Sequence, residues 1–177
     1  MKISDFAKSF ATEKHEGQFR ADNATPYITH PVEVDKLVRK YEESDNIERL
    51  VAVAYLHDVL EETDATYYEL VENFGHDIAS MVLELTNIEE MKNEIGKHKY
   101  LAYKLNNMTS YALTIKLCDK LHNISDLTNL NSEKRTKHIN DTAFIIDYLV
   151  KNRDLILTHR SIILDILIVL NKEKEII

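Results

Sequence analysis

Glycine and proline, the residues that most often interrupt helices and strands, are scarce in this chain. Only three glycines and two prolines occur among its 177 residues. So few interruptions favour helices joined by short connections over a sheet-rich fold. The chain also lacks a useful run of alternating apolar and polar residues, which is the pattern of a half-buried strand. We therefore predict an all-α fold.

The length and the composition are those of a single globular domain. A chain of 177 residues buries roughly 70% of the surface that it exposes when extended. Its apolar fraction of 44% and its charged fraction of 29% are ordinary for a soluble globular protein. No linker, internal repeat or low-complexity segment divides the chain, so we predict one domain over residues 1–177.

The charge and the hydropathy limit the kinds of partner. A net charge of −8 argues against a protein that acts mainly on nucleic-acid backbone, although it leaves room for a small phosphorylated ligand. The N-terminal segment has no signal-peptide pattern. The most apolar segment, residues 161–170, is too short to span a bilayer and contains Asp165. We expect a cytoplasmic protein without nucleic-acid or membrane partners, whose last helix is buried in the core or against another subunit of a homo-oligomer.

Helical periodicity of the apolar residues predicts nine helices. Thr66 is predicted to cap the fourth of them and Ser132 the eighth, because a hydroxyl oxygen can accept a hydrogen bond from the first turn. Gly75 is placed at the break between the fourth and the fifth helix. The segment 20–31 is the one clear loop, since it contains turn-forming Asp-Asn and Thr-Pro pairs. The predicted helices span residues 3–19, 30–42, 46–62, 66–73, 75–86, 92–106, 109–128, 132–151 and 154–172.

One predicted helix ends in a packed group of histidine and acidic residues. Residues 50–56 carry no charge and suit a buried helix. The next two turns contain His57, Asp58, Glu61 and Glu62. Negative charge near a helix C-terminus opposes the helix macrodipole, and like charges three or four residues apart repel each other by on the order of a few tenths of a kcal/mol. A bound cation would reverse both penalties.

Two further segments carry polar side chains among apolar neighbours. One is PYITHPVEV, which contains His30, and the other is TIKLCDKLHNISDL, in which Asp119 and Asn123 lie one helical turn apart. The two histidines and two aspartates of these segments and of the acidic helix end form a donor group that suits Mn, Fe or Zn better than Ca. Adjacent side chains do not face each other on a helix. Spacing alone therefore leaves open whether His57 and Asp58 share an ion.

A simpler interpretation of these residues is structural. Asp119 has Lys116 and Lys120 as neighbours, and either lysine could pair with a buried carboxylate. A lone histidine is usually a satisfied structural residue. We hold that interpretation for His15, His76, His98 and His159. For His30 and His57, the residues themselves leave the structural and the ligand interpretations equally open.

The order of the motifs resembles a known family. The chain contains, in this order, HEGQFR, TPYITHPVEV, AVAYLHDVLEET, FGHDIASMVLELT and IKLCDKLHNISDL. This layout is similar to that of the HD superfamily of metal-dependent phosphohydrolases, and more closely to the hydrolase domain of the RelA/SpoT-type alarmone enzymes and to the small alarmone hydrolases. The resemblance covers residues 6–150. It implies a single-domain HD-fold helical bundle that removes the 3′-pyrophosphate of guanosine 3′,5′-bis(diphosphate), (p)ppGpp.

The resemblance also implies a role for individual residues. One divalent metal ion, Mn²⁺, would be held by His30, His57, Asp58 and Asp119. The groups beside the attacking water would be Glu61, Glu62 and Asn123. The residues that contact the nucleotide would be Arg20, Lys134 and His138. A solvated helix face is the alternative for Lys134.

The chain departs from the family pattern at several positions. The second acid of the pair is Glu62 where Asp is usual, Ala24 stands where Gly is common, and Ala21 stands where a second basic residue is frequent. The last of these weakens the case for phosphate binding. Two other functions stay open: an HD phosphohydrolase acting on another nucleotide, such as a 5′-nucleotidase or a dinucleotide-cofactor phosphatase, and a non-catalytic metal-binding sensor. The acidic pair argues against a sensor, which does not need to activate water.

Overall fold

The computed structural model describes residues 2–176. Within that range the chain forms ten α-helices and no β-strand apart from an isolated bridge between Phe19 and Pro26, so the all-α prediction is confirmed. The backbone packs as two compact units, one up to Asn87 and the other from Ile88 onward. The helices are α1 (Ile3–Lys14), α2 (Thr29–Tyr41), α3 (Ile47–Leu56), α4 (Val59–Glu62), α5 (Tyr67–Leu85), α6 (Glu89–Ile95), α7 (Lys97–Asn107), α8 (Ser110–Ser125), α9 (Ser132–Asn152) and α10 (Leu157–Ile176).

Helix α3 is the centre of the first unit. It packs against α1, α2 and α5. Its residues from Leu50 to Leu56 are at most 5% exposed, as their lack of charge predicts. On α1 the buried side chains include the small Ala7 and Ala11, which allow two helices to approach closely. Burial on several sides makes α3 a fixed support for the polar group at its C-terminal end.

The predicted helix over residues 46–62 is wrong, because the chain leaves the helix after Leu56 and resumes it only at Val59. The physical reason lies in the His57 side chain. Its Nδ1 lies 2.7 Å from the carbonyl oxygen of Ala54, which in a continuous helix would accept the N–H of Asp58. The turn between α3 and α4 therefore consists of His57 and Asp58 themselves.

Other helix limits follow local chemistry. Thr66 caps α5 as predicted, since its hydroxyl accepts the N–H of Glu69 at 3.2 Å. The break at Gly75 is also confirmed: its φ of 80° and ψ of 164° lie outside the helical region, in a conformation open essentially to glycine alone. The predicted cap at Ser132 is wrong. The preceding residue, Asn131, caps α9 by accepting the N–H of Lys134 at 2.9 Å.

Helix α8 forms the core of the second unit. It packs against α9 and α10, while α7 packs against α6 and α9. Every α8 residue from Ala112 to Asp119 is buried. The predicted helix over residues 92–106 is divided into α6 and α7 at Gly96, whose φ of 87° lies in the left-handed region.

Helix α10 is half buried. Its inner face contributes His159, Ile162, Ile163, Ile166 and Leu170 to the core of the second unit. Its outer face exposes Leu164, Leu167 and Ile168. The prediction of a buried last helix is therefore confirmed for one face. Within the described part of the chain, none of the helices is both long enough and apolar enough to cross a lipid bilayer.

Candidate metal centre

Two buried histidines meet in the first unit. His30 lies in the first turn of α2 and His57 directly follows α3, and both are 1% exposed. Their Nε2 atoms are 3.2 Å apart. Because α2 packs on α3, two residues that are distant in the sequence face each other without exposure to solvent.

Asp58 completes a triangle of donor atoms with these histidines. Its Oδ2 lies 3.0 Å from Nε2 of His57 and 3.5 Å from Nε2 of His30. The turn between α3 and α4 explains why the adjacent His57 and Asp58 converge. On a continuous helix they would point about 100° apart, whereas the turn directs both side chains to one point. The structure thus brings the two side chains together, and their sharing of one ion stays a prediction.

The donor atoms fit a cation. The carbonyl of Ala54 can only accept, so Nδ1 of His57 carries the proton and, in the neutral ring, Nε2 presents a lone pair. Fixing the tautomer through the other ring nitrogen is the usual arrangement of a metal-bound histidine. Two imidazole nitrogens and a carboxylate oxygen are ligands that suit Mn, Fe or Zn.

Asp119 lies on α8 in the second unit and is 5% exposed. Its Oδ2 is 3.1 Å from Nζ of Lys116, and its Oδ1 accepts a hydrogen bond from Nδ2 of Asn123. The structural interpretation of Asp119 predicted a pair with Lys116 or Lys120, and the pair with Lys116 is present. The assignments of Asp119 as a metal ligand and of Asn123 as a neighbour of the substrate stay predictions.

The acidic pair lies on α4, one turn beyond Asp58. Glu61 is held by Asn87, whose side-chain Nδ2 donates at 2.8 and 3.1 Å and whose backbone N–H donates at 3.2 Å. Glu62 has an exposed side chain. Sequence reasoning missed Asn87, although it directly follows the matched stretch FGHDIASMVLELT. The catalytic roles of the two glutamates stay predictions.

The predicted loop is a tightly closed turn between α1 and α2. At its tip, Asp22 accepts the backbone N–H groups of Ala24 and Thr25, each at 2.9 Å, and the Thr25 hydroxyl at 2.6 Å. These bonds lower the pKa of Asp22 to about 2. At its base, Tyr27 N–H donates to the carbonyl of Gln18 at 2.9 Å. Local bonding gives the loop a defined shape.

The predicted nucleotide contacts lie on different elements. Arg20 is on the loop, with its guanidinium carbon 5.9 Å from the ring centroid of Tyr27. Lys134 and His138 are exposed on α9 in the second unit. The contact of each of these three residues with a nucleotide stays a prediction.

The fold and the His-Asp donor group define the class of the protein. A family model described as an HD domain matches residues 7–153, and the chain belongs to the HD domain family. A solved structure of a metazoan ortholog of SpoT that hydrolyses ppGpp has a TM-score of 0.81, with 24% identity, over 97% of this chain and 96% of its own. The predicted HD fold is thereby confirmed. The structure of lmo0812 from Listeria monocytogenes EGD-e aligns over 83% of this chain and 94% of its own with a TM-score of 0.67 and 19% identity.

Two similar proteins have names that state an activity. A guanosine-3′,5′-bis(diphosphate) 3′-pyrophosphohydrolase from Aquifex aeolicus is 34% identical over an alignment of 148 residues that covers 78% of this chain and 20% of the relative. The guanosine-3′,5′-bis(diphosphate) 3′-pyrophosphohydrolase MESH1 from Danio rerio is 32% identical over 126 residues, in an alignment that covers 71% of this chain and 69% of the relative. The chain therefore spans a fifth of the Aquifex protein's length and more than two thirds of the fish protein's.

Proposed function

We propose that the chain hydrolyses guanosine 3′,5′-bis(diphosphate) and its 5′-triphosphate analogue, releasing the 3′-pyrophosphate and leaving GDP or GTP. The observation that carries the proposal is the convergence of the His30, His57 and Asp58 donor atoms within 3.5 Å of one another. The names of the relatives from Aquifex aeolicus and Danio rerio support the choice of substrate.

The proposed cofactor is one divalent cation, Mn²⁺, with His30, His57, Asp58 and Asp119 as its ligands. The first three are supported by their geometry. Asp119 is supported by its burial on α8 and by the resemblance of the motif IKLCDKLHNISDL, which contains it. When bound, such a cation lowers the pKa of water and polarises a phosphoryl oxygen.

The remaining residues would handle the proton and the substrate. Water adds to the phosphorus attached to the 3′ oxygen, the bond between that phosphorus and the 3′ oxygen breaks, and the 3′ oxygen takes up a proton. Glu61 accepts the proton of the attacking water, with Glu62 beside it, and Asn87 keeps the Glu61 carboxylate in place. Acid–base help of this kind typically contributes a factor of about 10²–10⁴ in rate.

Binding of the nucleotide is assigned to residues outside the donor group. Arg20 would contact phosphate or base from the loop, because a guanidinium group can do both. Asn123 would lie near substrate and metal, and Lys134 and His138 would contact the nucleotide from α9. These assignments rest on the resemblance of the motifs.

A product analysis tests the proposal. The chain is incubated with Mn²⁺ and ppGpp, and the products are separated by ion-exchange chromatography. We expect GDP and pyrophosphate in equal amounts, and neither product from Asp58→Ala. Release of orthophosphate from 5′-mononucleotides or from a phosphorylated dinucleotide, with ppGpp intact, would instead indicate an HD phosphohydrolase of different specificity. Metal binding without turnover of any nucleotide in the panel would indicate a sensor.

A further inference from the structure

We propose that Tyr27 is a positioning residue that sets the affinity of the metal centre by orienting Asp58, and this inference rests on the metal centre of the proposed function. The Tyr27 hydroxyl donates a hydrogen bond of 2.7 Å to Oδ2 of Asp58. That oxygen is the same atom that faces Nε2 of both His57 and His30. Tyr27 was not among the residues singled out in the sequence.

Asp58 needs an external constraint because of where it lies. It is the residue before α4, a helix of only four residues, and helices so short are not stable by themselves. A carboxylate in a two-residue turn can rotate, whereas one that accepts a hydrogen bond from a fixed hydroxyl keeps its direction. The Tyr27 hydroxyl therefore holds Oδ2 in the position where it can act as a ligand.

The Tyr27 ring is itself held from several sides. The His15 ring packs against it at 4.6 Å between centroids and 31° between planes, and the His30 ring meets it edge to face at 5.9 Å. The Arg20 guanidinium lies 5.9 Å from its centroid. A ring confined in this way can place its hydroxyl accurately.

His15 is fixed in turn through Gln18. Nε2 of Gln18 donates to the carbonyl oxygen of Glu62 at 2.6 Å, which places the Gln18 amide oxygen toward His15. That oxygen accepts a hydrogen bond from Nδ1 of His15 at 2.8 Å. The His15 ring, 3% exposed, is thus set in the orientation in which it supports Tyr27. The buried histidine that sequence analysis treated as structural supports the metal centre in this way.

The distinctive consequence concerns metal affinity in the absence of substrate. Loss of a hydrogen bond to a metal ligand typically weakens metal binding by about 10- to 100-fold. Tyr27→Phe removes only the hydroxyl and keeps the ring contacts with His15 and His30. We therefore expect a Kd for Mn²⁺ that is higher by roughly that factor, with an unchanged circular dichroism spectrum.

The experiment is an Mn²⁺ titration of the full chain without nucleotide, in which electron paramagnetic resonance measures the free ion. Tyr55→Phe is the matched control. Tyr55 also donates a 2.7 Å hydrogen bond to a carboxylate in the first unit, that of Asp35, which is outside the donor group. The control should bind Mn²⁺ as tightly as the unaltered chain. If Tyr27→Phe is partly unfolded, the titration is repeated with trimethylamine oxide, which favours the folded state.

The outcomes separate this inference from the proposed function. An unchanged Kd in folded Tyr27→Phe, or an equal loss of affinity in Tyr55→Phe, overturns the role of Tyr27 even if the chain hydrolyses ppGpp. A selective loss of affinity in Tyr27→Phe supports that role even if ppGpp is not cleaved, in which case only the proposed substrate fails.

Discussion

His57 ends a helix and faces Asp58 with the same ring. Nδ1 donates to the carbonyl of Ala54 at 2.7 Å, and Nε2 lies 3.0 Å from the carboxylate of Asp58. The first contact interrupts α3, and the interruption allows Asp58 to turn toward the ring. The break after α3 and the approach of Asp58 to the His57 ring therefore have one cause, a side chain that competes with the backbone for a carbonyl.

At the same scale, Glu61→Gln tests the proposed proton acceptor. A carboxamide has nearly the same shape, and its oxygen can still accept from Asn87, so the side chain should stay in place. It cannot take up a proton, and kcat should fall by about 10²–10⁴. Stopped assays with ppGpp measure kcat, and elemental analysis should find the Mn²⁺ content unchanged.

Glu62→Asp is the control for that prediction. Aspartate is the commoner residue of the family at this position, so kcat should stay close to that of the unaltered chain. A near-normal kcat in Glu61→Gln would mean that the Glu61 carboxylate is structural and only holds Asn87.

Arg20→Ala separates substrate binding from metal binding. We expect KM for ppGpp to rise roughly 10- to 100-fold, the equivalent of a charge-assisted hydrogen bond of about 1.5–3 kcal/mol. KM should change more than the Mn²⁺ content, since a guanidinium group has no lone pair to offer a metal ion. Substrate binding by the unaltered chain should also weaken with salt, because exposed charges are screened.

Arg49→Ala is the matched substitution, since Arg49 pairs with the 80% exposed Asp77 on the surface of the same unit. It should leave KM unaltered. A KM that rises equally in both variants, or that rises in neither, would exclude Arg20 as a specific contact.

At the scale of helices, the α8–α10 contact contains a buried titratable group. His159 is 1% exposed, and its Nε2 lies 3.0 Å from the carbonyl oxygen of Ser110 at the start of α8. A carbonyl only accepts, so Nε2 carries the proton of the neutral ring, and a second proton would place a charge in the core. Burial, with a smaller effect from the charge of Arg153, lowers the pKa of His159 below its usual value of 6.5.

This lowered pKa predicts a loss of stability in acid. Above about pH 6.5 the ring is neutral in both the folded and the unfolded chain, so stability does not depend on it. Below that pH the unfolded chain binds the proton more readily, and the free energy of unfolding falls until the folded pKa is passed. His159→Gln, whose amide can still donate to Ser110, should lose less Tm between pH 6.5 and pH 5 in thermal melts.

The exposed His76 provides the comparison for this pH dependence. His76→Gln should melt like the unaltered chain at every pH in the series. Parallel Tm curves for the unaltered chain and His159→Gln would show that folding does not lower the pKa of His159.

Sequence predicted some of the helix ends that depend on local chemistry, although Asn131 and not Ser132 caps α9. Thr66 acts through its hydroxyl and Gly75 through its own backbone, and both positions are confirmed. The break after α3 was missed because it comes from one side chain competing for a carbonyl. The break at Gly96 was missed because an isolated glycine inside a helical pattern is often tolerated.

The residues of the site fall into two groups, those that the sequence could identify and those that it could not. His30, His57 and Asp58 could be named from their residue types and the order of the motifs. Their supporting residues could not, because each contact joins distant parts of the chain: Tyr27 reaches Asp58 across 31 residues, and Asn87 reaches Glu61 across 26. No periodicity or spacing encodes such contacts, which require the packed helices.

At the scale of the whole molecule, a metal bound only by the folded chain must stabilise it. At a free Mn²⁺ concentration of 100 times Kd, the gain is about 2.7 kcal/mol. For a chain of this length that corresponds to a rise in Tm of roughly 5–10 °C. We expect this rise in thermal melts of the unaltered chain, and its reversal by a chelator.

The same melts test the proposed ligand set. Asp58→Ala and Asp119→Ala should each lose the Mn²⁺-dependent rise, because each removes one of the two carboxylates that balance the charge of the cation. Asp64→Ala is the control, since the Asp64 side chain is 89% exposed and pairs with Lys14, and it should keep the full rise. A full rise in both Asp58→Ala and Asp119→Ala would refute the proposed centre. A full rise in Asp119→Ala alone would limit the ligands to the donor group of the first unit and leave Asp119 as the partner of Lys116.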